Sequence, residues 1–338
     1  MSNKLSELDE LVALFKQHGG QIDNVEIRHS DELGYYCYSL SPKKSSIMSC
    51  PASLLVDTED IGINEDGLFI SNREKYGENI NFLNQYFLFH FNRNLIKYHI
   101  ERKRQIENLS DNDKEIIAKI FPPELFKLDG ITDLDYARKR IIDCHNKIYL
   151  GRSVIMPFVS FVNFHKNGRS FKTDENKISI SGKFNGEVVA KYNEDDVLKM
   201  AGGYDFIGDT KYIYSIPLKY RMANGKTLLV NRNPLDAIEL GNGRWKPLVT
   251  VKSDSVTLSW FPLYLDGAPI FPAVISKMIA DEIHVPAENI LYNVIRLNLH
   301  ALIPAAFLLK ASTNEFARFL GSVAQRQLET IAGLRELQ

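Results

Sequence analysis

Apolar residues recur three and four positions apart at Leu5, Leu8, Leu11, Val12 and Phe15, and Gly19-Gly20 follows. That spacing predicts an amphipathic helix with a glycine stop. From Val25 the period shortens. Val25-Glu26-Ile27-Arg28 alternates, Tyr35-Tyr36-Cys37-Tyr38-Ser39-Leu40 is rich in aromatics, and Ile47-Met48-Ser49-Cys50-Pro51 ends on proline. Short strands separated by polar turns are expected as far as about Ile70. Residues 78–150 turn mainly helical. Phe82, Tyr86, Phe87, Phe89 and His90 open one helix, and 111–121 form a second, stopped by Pro122-Pro123. Residues 132–149 form a third, with Thr132 or Asp133 as N-cap.

Strand patterns return over 153–230, at Val154-Ile155-Met156, 158–164, Ile178-Ser179-Ile180-Ser181, 188–192 and 212–217. Asn224-Gly225 and Asn242-Gly243 have hairpin-turn composition. The stretch 236–240 fits no single type. From about Phe271 the pattern is helical to the end. Ser312-Thr313-Asn314-Glu315 has capping-box spacing, and Phe316, Phe319, Leu320, Val323, Ile331 and Leu334 then make one apolar stripe. Strands interrupted by a helical insertion indicate an α+β fold, not the alternating βαβ of a doubly wound sheet. The expected parts are a strand-rich core in two pieces, 1–77 and 151–230, a helical insertion, 78–150, and a mainly helical C-terminal domain, 231–338.

Composition narrows the partners. In 338 residues, 44% hydrophobic and 25% charged, Lys+Arg number 41 and Asp+Glu 42, a net charge of −1. This excludes wholesale disorder and leaves no global electrostatic footprint for nucleic acid or an anionic membrane. Three cysteines, none in a C-x-x-C, make neither a cysteine zinc cluster nor a disulfide framework, so a reducing compartment is expected. Residues 1–10 lack the basic start and apolar run of a signal peptide. The longest apolar stretches, such as 301–309 with Pro304, are short for a membrane span. A soluble cytoplasmic protein is expected.

Common catalytic signatures are missing. None of the eight histidines forms H-E-x-x-H, and no metal site is expected. There is no G-x-S-x-G and no phosphate-binding G-x-x-x-x-G-K-[ST], and Gly202-Gly203 lies in no G-x-G-x-x-G. Glu194-Asp195-Asp196 reads as a turn or helix start rather than a cation site. What remains is an aromatic and polar constellation. It comprises Leu33-Gly34-Tyr35-Tyr36, Asn163 within Pro157-Phe158-Val159-Ser160-Phe161-Val162-Asn163-Phe164-His165, Tyr192, and Gly202-Gly203-Tyr204-Asp205-Phe206-Ile207.

In order and spacing these segments resemble SET-domain proteins of the Rubisco large-subunit and non-histone lysine methyltransferase class. Glu32-Leu33-Gly34 stands where that class has G-x-G, ahead of the proline-ended strand at Pro51. Pro157 to Phe164 is similar to P-x-x-D-x-x-N-H, with Asn163 on the asparagine. Gly186-Glu187-Val188-Val189-Ala190-Lys191-Tyr192 matches G-E-x-x-x-x-Y. Gly203-Tyr204-Asp205-Phe206-Ile207 resembles D-Y-G-F-I. The departures are Glu32 for the first glycine, Ser160 for the aspartate, Phe164 for the histidine with His165 displaced by one, Asn193 for the glycine after the earlier tyrosine, and Asp205 for the glycine after the later one. The arginine that often precedes P-x-x-D falls on Arg138, Arg140 or Arg152.

The resemblance implies a SET core with a C-terminal helical domain that docks a lysine-containing protein substrate. It implies S-adenosylmethionine as cofactor, contacted by the backbone of Leu33 and Gly34 and by Asn163, Phe164 and Tyr204. Tyr204 is the implied catalytic tyrosine, and Tyr192 and Phe206 the implied channel walls. Two function classes follow. One is a protein-lysine N-methyltransferase acting on a non-histone cytoplasmic protein. The other is a non-catalytic SET-like binding module, motivated by Glu32, Ser160 and Phe164.

Overall fold

The computed structural model describes residues 2–30, 34–121, 128–192, 196–232, 238–239, 245–246, 249–259, 261–265, 268–269 and 287–332. Its helices in chain order are α1 (Ser2–Gln17), α2 (Ile80–His90), α3 (Arg93–Glu107), α4 (Asp111–Ala118), α5 (Asp133–His145), α6 (Val197–Tyr204), α7 (Ala287–Lys310) and α8 (Glu315–Ala332). Many short strands run between them, so the chain is α+β. It divides into two units. Unit 1 is 1–104 with 128–192, and unit 2 is 105–127 with 193–338.

Unit 1 begins with α1, whose Leu8, Leu11 and Phe15 are buried at the predicted spacing. Then come β1 (Gln21–Asp23), β2 (Val25–Ser30), β3 (Gly34–Ser39) and β4 (Ser46–Pro51). Strands β2 and β3 form an antiparallel pair in which Ser30 faces Gly34 and Val25 faces Ser39. Strand β4 is the inner strand between β1 and a later strand, Lys177–Gly182. This explains why Met48 and Cys50 are fully buried. The core beneath is aromatic. Phe15, Tyr86, Phe158 and Phe161 lie within 4.9–5.9 Å of a ring neighbour, in tilted or edge-on pairs. Burial pushes the Cys37 and Cys50 thiols up, so both are inert apolar fillers.

Three sequence expectations change here: the strand expected at 158–164 is a 3-10 turn at Val159–Phe161 ahead of the strand Asn163–Arg169, and two other elements shorten. Helix α5 has the predicted Thr132 cap, whose hydroxyl accepts from Asp135 N. It ends at His145, however, and 146–149 are a strand paired with Arg152–Ile155. The turn between them is Leu150-Gly151, both at positive φ. The strand expected at 188–192 shortens to Val189–Ala190. Residues 122–123, the expected helix stop, lie outside the described residues.

Unit 2 holds a four-stranded sheet, Leu218–Arg221, Thr227–Asn231, Ser255–Ser259 and Val249–Val251 in spatial order. Its first hairpin turns at Asn224-Gly225 as predicted, with Gly225 N donating to Met222 O at 3.0 Å. Helices α7 and α8 pack along each other, and Phe316, Leu320, Val323 and Ile331 are buried. The expected capping box at Ser312 is not formed. Asn314 caps α8 instead, accepting from Ala317 N, while Ser312 Oγ donates to Asp113 Oδ2. Asn242-Gly243, 271–286 and Leu334 lie outside the described residues. The stretch Asn289–Lys310 of α7 is long and apolar enough to cross a membrane by composition, and half of its hydropathy window is buried in the protein.

Candidate functional site

In unit 1 the segments singled out in the sequence meet. Gly34 starts β3 with φ +64, and no atom of the described residues lies within 4 Å of the place a Cβ would occupy. Further along β3, Ser39 N donates to Gly186 O and Val188 N to Cys37 O, both at 2.8 Å. The Gly186-Glu187 segment is therefore stitched to the Gly34 strand. Beside it runs the strand Asn163–Arg169, parallel to Val189–Ala190, with Asn163 opposite Val189 and Phe164 opposite Ala190.

Two side-chain contacts lock this junction. Asn163 Nδ2 donates to Glu187 Oε1 at 2.8 Å. Tyr192 OH donates to Val162 O at 2.8 Å, and its ring lies 5.6 Å from that of Phe164, tilted by 59°. The asparagine and the phenylalanine in the histidine's place thus touch the Glu and Tyr of the second motif. After a register shift Arg169 also pairs with Ala190, and Lys191 N donates to Arg169 O. Gly168 is required there, because a Cβ would sit 2.3 Å from the Ala190 carbonyl carbon.

The departures from the resembled pattern find their own partners. Ser160 Oγ bonds Tyr86 OH at 3.1 Å, joining the Pro157 segment to α2. Burial raises the Tyr86 phenol. His165 is exposed, and its Nδ1 accepts from Asn167 N. Among the candidate arginines, Arg138 donates to Ile61 O and Thr58 O, and Arg152 pairs with Asp57. Leu33 and Glu32 lie outside the described residues.

Tyr204 and Phe206 belong to unit 2. Tyr204 is the last residue of α6, and its ring is 6.2 Å from that of Phe206. Between them Asp205 takes the left-handed conformation, φ +55, at the C-cap. Aspartate tolerates that region better than most residues, which lets it stand where the resembled pattern has glycine.

The other end of α6 rests on a buried network that the sequence did not announce. Asp196, fully buried, caps the helix by accepting from Lys199 N. Arg232 holds the same carboxylate with two bonds, 3.1 and 2.6 Å, and also donates to Tyr214 O and Ser215 O. Gln327 of α8 adds a bond to Asp196 Oδ2 at 3.2 Å. Asp196 is the end of the acidic run, and helix start is its observed role; Glu194 and Asp195 lie outside the described residues. Among the described residues no group of three or more potential metal ligands comes together.

Unit 2 also carries an apolar cleft of about 730 Å³ between α4 and α7, lined by Ile116, Leu218, Leu297, Ala301, Pro304 and Leu308 among others. On α7, Ile303 is 54% and Phe307 75% exposed.

No family model and no curated protein matches this sequence. Among solved structures, the chain is similar to the SET domain of LSMT bound to lysine and AdoHcy, with a TM-score of 0.46 and 13% identity over 98% of this chain and 90% of that one. Structures of Rubisco LSMT bound to AdoMet, and to sinefungin and monomethyllysine, are similar at TM-scores of 0.45 and 0.46. Each is 13% identical and covers 97% of this chain and 90% of the other.

Proposed function

We propose that this chain is an S-adenosylmethionine-dependent protein-lysine N-methyltransferase acting on a non-histone cytoplasmic protein. The observation that carries the reading is the Asn163–Glu187 bond, which brings the two central motif segments into one junction beside the Gly34 strand. The residues there suit the cofactor. With no described atom at the Cβ position of Gly34, a ligand can approach the β3 backbone. Asn163 keeps its side-chain carbonyl as an acceptor for an ammonium, and Phe164 offers a ring face for a base. The backbone of Leu33 and Gly34 is assigned to the same ligand.

S-adenosylmethionine supplies an electrophilic methyl group on a sulfonium. The chain's task is to present a neutral lysine to it. From a reference pKa near 10.4, deprotonation at pH 7 costs about 4.6 kcal/mol. Aromatic walls lower that cost by excluding water from the ammonium while still tolerating a methylammonium product. Tyr192 is assigned to those walls. Tyr204 is assigned the hydroxyl that orients the reacting groups, which is catalysis by positioning. The apolar cleft of unit 2 is assigned to docking the protein substrate.

The test is transfer of a radiolabelled methyl group into proteins of a cell lysate. Labelled lysine is expected with the wild type, and about a hundredfold less with Tyr204→Phe. Equal labelling by the variant would remove Tyr204 from the mechanism. A second reading is a SET-like binding module without methyl transfer, favoured by Phe164 in the histidine's place and by the Ser160–Tyr86 bond. It predicts cofactor binding no stronger than to an unrelated protein.

A further inference from the structure

Arg221 and Arg296 reach one cavity of about 250 Å³ in unit 2 from two different elements. Arg221 ends the strand Leu218–Arg221, and Arg296 lies in the third turn of α7. Both are exposed, and neither has a carboxylate or any other hydrogen-bond partner among the described residues. No carboxylate among the described residues lines the cavity. Elsewhere in the unit the pattern is different. Arg232 is matched by Asp196 and Arg326 by Asp209. Two arginines lining one opening with no counter-charge among the described residues favour an anion there.

The rest of the lining defines the ligand. Asn289 and Asn293 stand one helical turn apart near the start of α7. Asn293 Nδ2 is occupied by Asn289 O at 2.8 Å, so the arginines are the chief donors. The lining also includes the apolar Met222, Ala223 and Leu297. An anion hole with apolar residues in its lining accepts a charged group carried on a compact hydrocarbon body. The volume is below the roughly 300 Å³ at which drug-sized pockets begin, so the body is small. Guanidinium forks match the tetrahedral oxygens of a phosphate, and two of them match a dianion.

We propose that this cavity binds a small organic phosphate monoester, with Arg221 and Arg296 as its anion clamp. The site is independent of the methyltransferase reading. Calorimetric titration of the full chain with phenyl phosphate, inorganic phosphate and benzoate tests it. Phenyl phosphate is expected to bind saturably and more tightly than the other two. Arg221→Gln and Arg296→Gln are each expected to weaken it about tenfold, with an unchanged melting temperature. Absence of saturable phenyl phosphate binding by the wild type would overturn the proposal. So would equal affinity in the Arg221→Gln/Arg296→Gln double variant, or benzoate binding as tightly as the phosphate.

Discussion

Asn163 and Glu187, 24 residues apart, are joined by a 2.8 Å hydrogen bond between their side chains. Both are half-buried; Asn163 opens the strand Asn163–Arg169, and Glu187 lies two residues before its parallel partner Val189–Ala190. The bond orients the asparagine amide, turning its donor side toward Glu187 and leaving its carbonyl free. Asn163→Ala removes both functions and is expected to weaken S-adenosylmethionine binding at least tenfold. Glu187→Gln keeps the packing and loses only the charge-assisted bond, so a smaller loss of about threefold is expected. Calorimetry on the two variants separates ligand contact from orientation.

Gly168 meets the Ala190 backbone so closely that no side chain fits. Gly168→Ala forces apart the two segments that carry Asn163 and Tyr192. A loss of about 3 kcal/mol is expected in urea unfolding, at the upper end for overpacking. An unchanged midpoint would show that the loop moves aside freely.

The Asp196–Arg232 pair holds the start of α6, whose last residue is Tyr204. Both side chains are almost completely buried. Removing one partner strands a buried charge, so Asp196→Ala and Arg232→Ala are each expected to cost about 3–5 kcal/mol. The double variant Asp196→Leu/Arg232→Met leaves no charge unpaired and is expected to lose less than either single change. A loss in the double variant equal to the sum of the two single losses would mean the pair is not coupled.

His90 and His145 lie with ring centroids 5.1 Å apart inside the aromatic core of unit 1. Burial holds His145 down to about 4 and His90 well below its ordinary value, helped by its neighbour. Unfolding frees both rings to take up protons near pH 6.5. Stability is therefore full above about pH 7 and falls as pH drops from 6.5 toward 4. The slope is up to about 1.4 kcal/mol per pH unit for each histidine. His90→Phe is expected to reduce that slope, read as the urea midpoint at pH 7.5, 6 and 5. An identical slope in the variant would place the acid sensitivity elsewhere.

How much of this was legible depends on whether a local pattern had a competitor. The start of α5 was legible to within one residue, because Thr132 and Asp133 are both good caps, and the threonine hydroxyl takes the role. The capping box at Ser312 was not, because Asn314 is an equally good cap two residues later and Asp113 takes the serine hydroxyl. The hairpin after His145 was hidden by its turn, since Leu150 at φ +46 carries no turn signal in its side chain. The junction of the Asn163 and Glu187 segments was suggested by motif order, whereas the bond itself needed the fold. Arg232 gave no sign, because its partner Asp196 is 36 residues away and looked like part of a solvated acidic run.

The account stands or falls on whether unit 1 holds the methyl donor. Calorimetric titration of the purified chain with S-adenosylmethionine and its demethylated product is the direct measurement. One site with a micromolar dissociation constant, weakened by Asn163→Ala at an unchanged melting temperature, is the predicted result. No heat of binding up to millimolar ligand from the folded wild-type chain would contradict it.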